Sequence, residues 1–467
     1  MLRVMKFGGT SVGSAAAIAQ TVAILAAAEG PVVGVVSALS GVTNELLAAA
    51  EAAASGDAAR GAELREALLG RHLPALAELV QDPARRLAAA EAIAAHVERC
   101  GRLVDSVAVL RDLSARVQDS IVAFGERLSS LVVAAALEDR GTPAAAIDAE
   151  RLILTDGVFG GASPLPCETR QRTQATLSPL LERGVLPVVT GFFGADASGA
   201  TTTLGRGGSD YAATILGAAL EAGEVCIWTD VDGVMTADPR LVPEARTLPA
   251  ISVNEATELA YFGAKVIHPR TMQPAAEAGI PVWIKNTFNP GCPGTRIGPE
   301  SSELGSVKAI TAIPHVSVVT VEGSGFLGVA SVTGRIFSAV GRAEINVYMI
   351  SQASSQHSLS FVVPGADGPE AVRLLEVEFE FDLLRGRLLR VWEDPGMAAV
   401  AVVGAGMRGT PGVAGRVFQT LGREGINIVT IAQGSSELNI SCVIAAAEVA
   451  RAVPALHAAF GLGLGAP

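Results

Sequence analysis

The feature of the sequence that most restricts its possible folds is an internal repeat in the C-terminal third. A Gly-x-Gly-x-x-Gly motif, a Gly-Arg-x-Phe motif, an Ile-Asn pair and a Gln-x-Ser-Ser motif each occur twice, 81 positions apart. The first members begin at Gly323, Gly334, Ile345 and Gln352, and the second at Gly404, Gly415, Ile426 and Gln433. Each copy has the pattern strand, glycine loop, helix, strand, turn, strand and a following helix. The repeat therefore predicts a duplicated βαββαβ unit.

The chain before the repeat follows a different pattern, in which β-branched runs alternate with longer helical stretches. Several runs are apolar throughout, which is typical of strands covered on both faces. The candidate strands are Arg3–Phe7, Val32–Ser37, Val185–Thr190, Val225–Thr229 and Val282–Lys285. We expect an α/β domain with a mostly parallel sheet between two helical layers. Residues Asn44–Arg140 are rich in Ala, Leu, Glu and Arg, and they predict a helical excursion from this sheet.

A change of composition separates the two patterns. The stretch Asn286–Ser306 is rich in Pro, Gly, Ser and Asn, and it predicts a linker. Combined with the repeat, this gives four expected segments. They are a first domain over residues 1–290, a linker over 291–312, and two smaller domains over 313–392 and 393–467.

Composition argues against several classes of function. The formal net charge of -12 is spread along the chain, whereas nucleic acid binding requires a basic surface. The five cysteines form no Cys-x-x-Cys pair, so neither a zinc site nor a disulfide framework is predicted. The N-terminus lacks the pattern of a secretory leader, and the apolar runs are too short or too close to charges to cross a bilayer. We expect a cytoplasmic protein with no nucleic acid or membrane partner.

The second copy of the repeat also imitates a dinucleotide-binding fingerprint. Val400–Val403 precede the glycine motif that begins at Gly404. That fingerprint requires an acidic residue at the end of the next strand, where this chain has Ala432 and Gln433. We therefore interpret the motif as part of the repeat.

The first candidate for chemistry follows the first predicted strand. Lys6 precedes Gly8, Gly9 and Ser11, and a helix is predicted from Ser14 onward. Glycines let the backbone approach a phosphate closely, and a helix N-terminus offers free N–H groups and positive potential. The segment predicts a phosphate cradle with Lys6 as its cation. A tight strand-to-helix turn with a solvated lysine is the alternative.

Two further segments carry polar residues at suggestive places. Ser37 and Thr43 lie between the second predicted strand and its helix, where helix capping is the alternative to a binding role. Glu126 and Arg127 interrupt an apolar helical run. This charged pair either faces solvent or serves a site.

Three later segments have the composition of ligand loops. One runs from Gly205 to Asp210 ahead of an Ala-rich helix, one from Trp228 to Arg240 behind a strand, and one from Phe262 to Pro269. The middle segment carries several carboxylates but lacks the spacing of a calcium-binding loop. His268 precedes a proline and is interpreted as structural.

In this order, the segments that begin at Lys6, Gly205, Trp228 and Phe262 resemble those of aspartate kinases of the amino-acid kinase family. The repeat resembles the paired ferredoxin-like ACT domains that follow the kinase region, and the resemblance covers essentially the whole chain. The repeat is most similar to the amino-acid-sensing regions of plant-type and bifunctional aspartate kinase–homoserine dehydrogenases, and no dehydrogenase is expected here. The resemblance implies transfer of the γ-phosphate of ATP to the side-chain carboxylate of L-aspartate.

The resemblance also implies roles for individual residues. Lys6 and Lys265 would bind phosphates, and Asp210 would hold Lys6 in position as the second catalytic residue. The implied aspartate-binding residues are Ser37, Thr43, Glu126, Arg206 and Ser209. The other implied ATP-binding residues are Gly8, Gly9, Thr229, Asp230, Met235, Asp238 and Arg240. Met235 replaces a tyrosine that is common in the family. No metal site made by the protein is expected, because Mg²⁺ would arrive with ATP.

The repeat further implies regulation by an amino acid. Its candidate ligands are the amides of Asn346, Gln352, Asn427 and Gln433, since an amide can bind both an ammonium and a carboxylate. Threonine or lysine is the expected inhibitor, and a homodimer or larger homo-oligomer is the expected assembly. Two alternatives stay open. One is an amino-acid kinase with another carboxylate acceptor, and the other is a non-catalytic amino-acid sensor with a kinase-like fold.

Overall fold

The computed structural model describes residues 1–263, 268–298, 306–323, 330–352 and 357–463. The chain forms two compact units, each assembled from three stretches of sequence. The first unit comprises Met1–Val234, Pro249–Val253 and Ile267–Glu300. The second comprises Met235–Leu248, Asn254–Val266 and Ser301–Pro467. The units are therefore not consecutive segments of the chain.

Among the described residues, the first unit contains ten strands. They are β1 (Arg3–Phe7), β2 (Val32–Val36), β3 (Ala144–Ile147), β4 (Leu186–Thr190), β5 (Phe193–Ala195), β6 (Thr201–Thr203), β7 (Glu224–Thr229), β8 (Ala250–Ser252), β9 (Val282–Asn286) and β10 (Thr295–Gly298). The first ten helices are α1 (Ala15–Ala26), α2 (Val42–Ala54), α3 (Arg60–Leu79), α4 (Pro83–Leu110), α5 (Ala115–Val122), α6 (Phe124–Asp139), α7 (Pro166–Glu182), α8 (Gly208–Ala219), α9 (Val253–Tyr261) and α10 (Pro269–Glu277). All but α9 belong to the first unit.

Eight strands of the first unit form one sheet in the order β3-β4-β2-β1-β7-β9-β10-β8. Every pairing is parallel except the antiparallel pair of β9 and β10. Each residue of β2 is buried, as its uninterrupted apolar sequence requires of a strand covered on both faces. The expected mostly parallel α/β sheet is confirmed.

The two faces of the sheet are covered by different helices. Successive residues of a strand point to opposite faces. Phe7 packs in a core cluster with residues of α1 and α6, whereas Lys6 forms an ion pair with Asp210 of α8. Helices α7 and α10 pack against α8. The result is a three-layer arrangement with the sheet in the middle.

The predicted helical excursion corresponds to α2 through α6. Helix α6 lies against β2, β3 and β4, and α3 and α4 pack on it. Within the described residues, one stretch, Ala115–Asp139, is long and apolar enough to cross a membrane, and 89% of its most apolar window is buried inside the protein. That burial indicates a core segment rather than a membrane span.

The predicted linker contains a strand of the sheet. β10 pairs with β9 on one side and with β8 on the other. The expectation of a linker over 291–312 is therefore wrong for this part, because Thr295 and Ile297 are buried in the sheet. Pro290, Gly291, Pro293 and Gly294 lie in the turn between β9 and β10.

The described part of the second unit contains six strands and five helices besides α9. The strands are β11 (Ala309–Gly323), β12 (Met349–Gln352), β13 (Ser358–Pro364), β14 (Leu388–Val403), β15 (Thr430–Gln433) and β16 (Asn439–Ala445). The helices are α11 (Ala330–Arg342), α12 (Gly368–Glu378), α13 (Glu380–Leu384), α14 (Val413–Arg423) and α15 (Val449–Ala459). Short 3₁₀ turns in the two units lie at Thr10–Val12, Ala149–Arg151, Gly365–Asp367, Ala405–Met407 and Ala446–Glu448.

These six strands form one antiparallel sheet in the order β12-β13-β11-β14-β16-β15. The expected βαββαβ units are present, but they share their two longest strands. The second half of β11 and the first half of β14 belong to the first copy, where Val318–Glu322 pair with residues 390–394. The second half of β14 belongs to the second copy, and its fourth strand is the start of β11, residues 309–313.

The second copy thus takes its last strand from residues that precede the first copy. The predicted boundaries place nearly all of this strand in the linker, residues 291–312, although the strand completes the second copy. Both long strands are irregular where they pass from one copy to the other. Pro314 and His315, with φ of +58°, interrupt β11, and Pro395 and Gly396, with φ of +71°, lie opposite in β14. Because proline cannot donate to a ladder, it is suited to such a break.

A buried ion pair joins α9 to both shared strands. Lys308 Nζ lies 3.2 Å from Glu255 Oε2, and their side chains are 2% and 0% exposed. Glu255 Oε1 also accepts a hydrogen bond from the Ala405 N–H at 2.7 Å. Lys308 directly precedes β11 and Ala405 follows β14, so Glu255 holds the ends of both strands.

We expect Lys308→Ala to destabilise the second unit by about 3–5 kcal/mol, because it removes the cation that lies beside the buried Glu255 carboxylate. Hydrogen–deuterium exchange of peptides from β11, β14 and β16 should become faster. Peptides from β1 and β2 serve as the internal reference. The control is Arg373→Ala, which breaks an exposed ion pair with Glu370 and should leave the free energy of unfolding nearly unchanged. Equal exchange in the two variants would contradict the assignment.

Candidate active site

Lys6 is the residue around which the candidate site is built. It is 8% exposed, and its Nζ lies 2.5 Å from Asp210 Oδ1. Lys6 comes from β1 and Asp210 from the first turn of α8. A buried ammonium requires a nearby counter-charge, so this ion pair determines where the lysine points. The structure places the two residues side by side, as the sequence predicted, and their catalytic roles remain a proposal.

The loop after Lys6 is fixed by Ser11, whose role the sequence did not reveal. Ser11 is fully buried, and its Oγ donates to the Trp228 carbonyl at 3.3 Å. The Oγ1 of Thr287 lies 2.7 Å away in a second hydrogen bond. Thr21 Oγ1 donates to the Ser11 carbonyl at 2.7 Å. Ser11 therefore ties the loop to β7, to the end of β9 and to α1.

The two glycines of this loop differ in what their N–H groups do. The Gly8 N–H donates to the Trp228 carbonyl at 3.1 Å. The expectation that this N–H is free to bind phosphate is therefore wrong. Among the described residues, the Gly9 N–H has no acceptor. A Cβ at Gly9 would lie 3.3 Å from the Ala38 carbonyl, which favours glycine here. Gly9 is therefore the better candidate for a backbone donor.

A cavity of about 340 Å³ lies beside Lys6, at the carboxyl ends of the parallel strands. Its volume is within the range of small-molecule sites. The predicted residues that line it are Lys6, Gly9, Ser37, Thr43, Glu126, Ser209 and Asp210. Residues not predicted from sequence also line it, namely Ala38, Leu39, Ser40, Gly41, Asn44, Phe192, Gly207 and Gly208. Most of these flank predicted residues, so their motifs already pointed to them.

Phe192 is the lining residue with the most unusual backbone. Its φ is +74°, in a region that residues other than glycine rarely adopt. Its carbonyl accepts from the Leu204 N–H at 2.8 Å, and a Cβ at Gly208 would approach that carbonyl to 2.9 Å. Such strained residues concentrate at functional sites. Phe192 therefore fixes the turn that closes one wall of the cavity.

Glu126 is a buried carboxylate that faces this cavity. It is 3% exposed, and its Oε1 accepts from the Ala38 N–H at 3.1 Å. Within the described residues its Oε2 is buried without a hydrogen-bond partner. Burial raises the pKa of Glu126 to about 8, although the Ala38 N–H and the charge of Lys6 act in the opposite direction. The alternative that the Glu126-Arg127 pair faces solvent is excluded. The site thus has an acceptor suited to an ammonium group.

Arg127, the neighbour of Glu126, has a structural role. It is 7% exposed, and its Nε and Nη2 bind Asp148 and Glu150 at 2.6 Å and 2.5 Å. Its guanidinium also lies 4.8 Å from the centre of the Phe193 ring. These contacts link α6 to the segment after β3 and to β5.

Arg206 lies on the exposed loop between β6 and α8. Gly205 and Gly207 on either side have φ of +78° and +72°, which favours glycine. The Arg206 side chain does not line the cavity, and it has no ion-pair partner within the described residues. The structure therefore does not bring Arg206 together with Glu126 and Ser209, and its grip on a substrate carboxylate remains a prediction.

Apart from Lys6 and the two glycines, the residues predicted to bind the nucleotide fall into three groups. They are Thr229 with Asp230, Lys265 alone, and Met235 with Asp238 and Arg240. Thr229 ends β7 and Asp230 follows it, at the same edge of the sheet as Gly9, and Thr229 Oγ1 donates to Asp230 Oδ1 at 3.1 Å. Asp232 accepts from the side chains of Asn286 and Asn289, so it stabilises the loop. Lys265 lies outside the described residues.

Met235, Asp238 and Arg240 form the third group and belong to the second unit. Arg240 Nη2 lies 2.6 Å from Asp238 Oδ2, and the arginine side chain is 84% exposed. The sulfur of Met235 accepts from Thr247 Oγ1 at 3.4 Å. Their roles in nucleotide binding remain predictions.

The four candidate regulatory amides occupy equivalent places in the two copies. Gln352 and Gln433 end the edge strands β12 and β15, and Asn346 and Asn427 each lie three residues before those strands. All four side chains are exposed in the single chain. Their exposure leaves them accessible to a ligand, and their role in regulation stays a prediction.

We expect Glu126→Gln to raise the thermal unfolding midpoint at pH 8.5 and to leave it nearly unchanged at pH 5. The pKa of Glu126 is raised from 4.5 to about 8, so the folded protein keeps a proton that the unfolded chain releases in this window. Wild-type stability therefore falls as pH rises through it, by on the order of a few kcal/mol.

Glutamine is neutral throughout this pH range and avoids the loss. Thermal unfolding at pH 5, 7 and 8.5 measures the effect. Glu63→Gln, at a side chain 58% exposed, is the control and should show no such gain. An identical pH dependence in wild type and Glu126→Gln would show that Glu126 is ionised in the folded protein at pH 5.

Comparison with known proteins identifies the family. The amino acid kinase family model matches residues 1–286, and the ACT domain model matches residues 319–379 and 400–460. The bifunctional aspartokinase/homoserine dehydrogenase of Haemophilus influenzae is 37% identical over 462 residues, which is 98% of this chain and 56% of that protein. The chain spans about half the length of such bifunctional relatives. Chloroplastic aspartokinase 1 of Arabidopsis thaliana is 33% identical over 98% of this chain and 80% of its own length.

Solved structures give the same result. E. coli aspartokinase III in complex with aspartate and ADP, in its R-state, matches with a TM-score of 0.81 at 30% identity. The complex of that enzyme with lysine and aspartate, in its T-state, matches with a TM-score of 0.83. Each match covers 98% of this chain and 99% of the other. The chain therefore belongs to the aspartokinases of the amino acid kinase family, with two ACT domains after the kinase region.

Proposed function

We propose that this protein is an aspartate kinase, which converts ATP and L-aspartate to ADP and 4-phospho-L-aspartate. This is the first step of the pathway to lysine, threonine and methionine. The observation that carries the proposal is the cavity in which the buried Lys6, paired with Asp210, faces the buried carboxylate of Glu126. The cavity combines a cation for a phosphate with an acceptor for an amino group. The relative crystallised with aspartate and ADP supports the same pair of ligands.

The reaction needs charge neutralisation more than proton transfer. The side-chain carboxylate of aspartate has a pKa of roughly 4 and is ionised at neutral pH, so it attacks without a general base. Its oxygen forms a bond to the γ-phosphorus while the bond to the β-γ bridging oxygen breaks and ADP leaves. The site must hold two anions together and stabilise charge on the phosphoryl oxygens. Lys6 would provide that charge, and Asp210 would keep it in place.

Glu126 would bind the α-ammonium of the substrate. A carboxylate with one buried oxygen lacking a partner has a raised pKa because its charge is poorly stabilised. An ammonium beside it supplies the missing partner and favours the ionised form. Ser37, Thr43 and Ser209 line the same cavity and would add hydrogen bonds. Arg206 would bind the α-carboxylate in a bidentate fork.

Mg²⁺ would accompany ATP and be held mainly by phosphate oxygens. Within the described residues, no three His, Cys, Asp or Glu side chains are grouped to hold a metal ion. The Asp210 carboxylate lines the cavity and could contribute one oxygen to the hydrated ion. A resident metal is not part of the proposal.

We also propose a cytoplasmic location and a homodimer or larger homo-oligomer. All five cysteines are free, as suits a reducing compartment. The edge strands β12 and β15 expose Ile350 and Ile431, which are 50% and 45% exposed. An apolar edge strand favours pairing with another chain.

The decisive test is ADP release by the purified protein with aspartate, glutamate or acetylglutamate as acceptor, with hydroxylamine trapping of the acyl phosphate. We expect turnover with aspartate. Lys6→Met should lower kcat by about a hundredfold or more, because the phosphoryl charge loses its cation. Lys285→Met, which changes a lysine outside the cavity in the same unit, should alter kcat by less than about threefold.

Preference for another acceptor would assign a different amino-acid kinase. The absence of turnover with all three, together with retained amino-acid binding, would favour the non-catalytic sensor. A Lys6→Met enzyme with near-normal kcat would show that Lys6 is not the phosphate cation.

We further propose that threonine or lysine inhibits by binding at the exposed amides of the two ACT copies. The relative crystallised with lysine in a T-state supports an amino-acid effector. Gln352→Ala and Gln433→Ala should raise the inhibitor concentration for half inhibition by about tenfold or more while leaving uninhibited kcat unchanged. Inhibitor titrations at subsaturating aspartate measure this, with Gln419→Ala on the exposed face of α14 as the control. Unchanged inhibition in both variants would remove the glutamines from the effector site.

A further inference from the structure

The loop that carries Arg206 is held from two sides. A Cβ at Gly205 would lie 3.3 Å from the Gly160 carbonyl and 3.4 Å from Gly161 Cα. On the other side, a Cβ at Gly207 would lie 3.1 Å from Thr271 Cγ2 and 3.6 Å from His268 Cβ. The loop therefore passes between a turn at residues 160–163 and the beginning of α10. Arg206 itself is exposed, so its own contacts do not determine its position.

Asp119 fixes the first of these two walls. It is 3% exposed and lies on α5. Its Oδ2 accepts from the Gly160 N–H at 2.9 Å and from the Thr203 N–H at 2.8 Å, and its Oδ1 accepts from Thr203 Oγ1 at 2.8 Å. Thr203 is the last residue of β6, two positions before Gly205. One buried carboxylate thus holds both the turn and the strand that leads into the Arg206 loop.

Arg270 joins the two walls. It is the second residue of α10, and its Nη2 donates to the carbonyls of Gly161 and Ala162 at 3.3 Å and 3.0 Å and to Ser163 Oγ at 3.1 Å. Its guanidinium also lies 5.3 Å from the centre of the Tyr211 ring. Tyr211 follows Asp210 on α8. Arg270 therefore connects the turn, α10 and the helix that supplies the ion-pair partner of Lys6.

We propose that Asp119 and Arg270 are positioning residues for the aspartate carboxylate, and that they act by fixing the backbone of the Arg206 loop. This inference rests on the proposed function, in which Arg206 binds that carboxylate. Neither Asp119 nor Arg270 lines the cavity, so neither touches substrate there. A displacement of about 1 Å in a binding group can cost on the order of a hundredfold in rate. Contacts that fix the backbone of the Arg206 loop can therefore have a large effect on catalysis without touching the substrate.

The first test compares Michaelis constants in the purified full chain. Arg206→Ala, Arg270→Ala and Asp119→Asn should each raise the KM for aspartate by about tenfold or more and change the KM for ATP by less than about twofold. Arg270→Lys keeps the charge but cannot span the three acceptors, so we expect an intermediate KM. The control is Arg170→Ala, at an exposed ion pair with Glu221 on the same unit, and it should change neither KM.

The second test is a double-mutant cycle. If Arg270 acts through Arg206, then Arg270→Ala in an Arg206→Ala background should change the aspartate KM by less than about twofold. Additive effects would show that Arg270 acts independently, and an unchanged aspartate KM in Arg270→Ala and Asp119→Asn would also overturn the inference. Parallel increases in both KM values would indicate general damage to the fold and count against it. If wild type shows no activity with aspartate, the proposed function falls first, and this inference falls with it.

Discussion

The ion pair between Lys6 and Asp210 is the interaction on which the site depends. Lys6 is the one lysine among the described residues that line the cavity, and at 8% exposure it needs a counter-charge. Asp210 can supply it because α8 packs against β1. The packing of this helix also places Ser209 in the cavity. The helix begins at Gly208, directly after the Arg206 loop. One buried charge pair therefore sets the position of several elements of the site.

The buried carboxyl group of Glu126 is stabilised much less well than this ion pair. Arg127 is almost as buried as Glu126 but has two carboxylate partners, whereas Glu126 Oε2 has none among the described residues. Burial without a partner raises the pKa of a carboxylate and costs stability at neutral pH. The loss of stability therefore applies to Glu126, which faces the cavity, and not to Arg127 beside it. We interpret the difference as the sign of a residue whose partner is a ligand.

The second unit shows how a sequence repeat need not give two independent domains. Both copies place residues on β11 and β14, and Glu255 binds Lys308 ahead of one strand and Ala405 after the other. A displacement of either strand must therefore change the structure of both copies, because they share one hydrogen-bonded sheet. The shared sheet is a physical basis for the proposed regulation by an amino acid.

Local sequence patterns determined much of this protein. Runs of apolar and β-branched residues predicted the central strands β1, β2, β4, β7 and β9, and the repeat predicted two βαββαβ units. Glycines near Lys6 and Asp210 pointed to the cavity. Tertiary structure alone decided that the Gly8 N–H is occupied, that Arg206 lies outside the cavity, and that residues 309–313 complete the second copy. The reason is that local pattern specifies which faces must be buried and which backbone angles are allowed. It does not specify which distant strand, carbonyl or carboxylate satisfies each group.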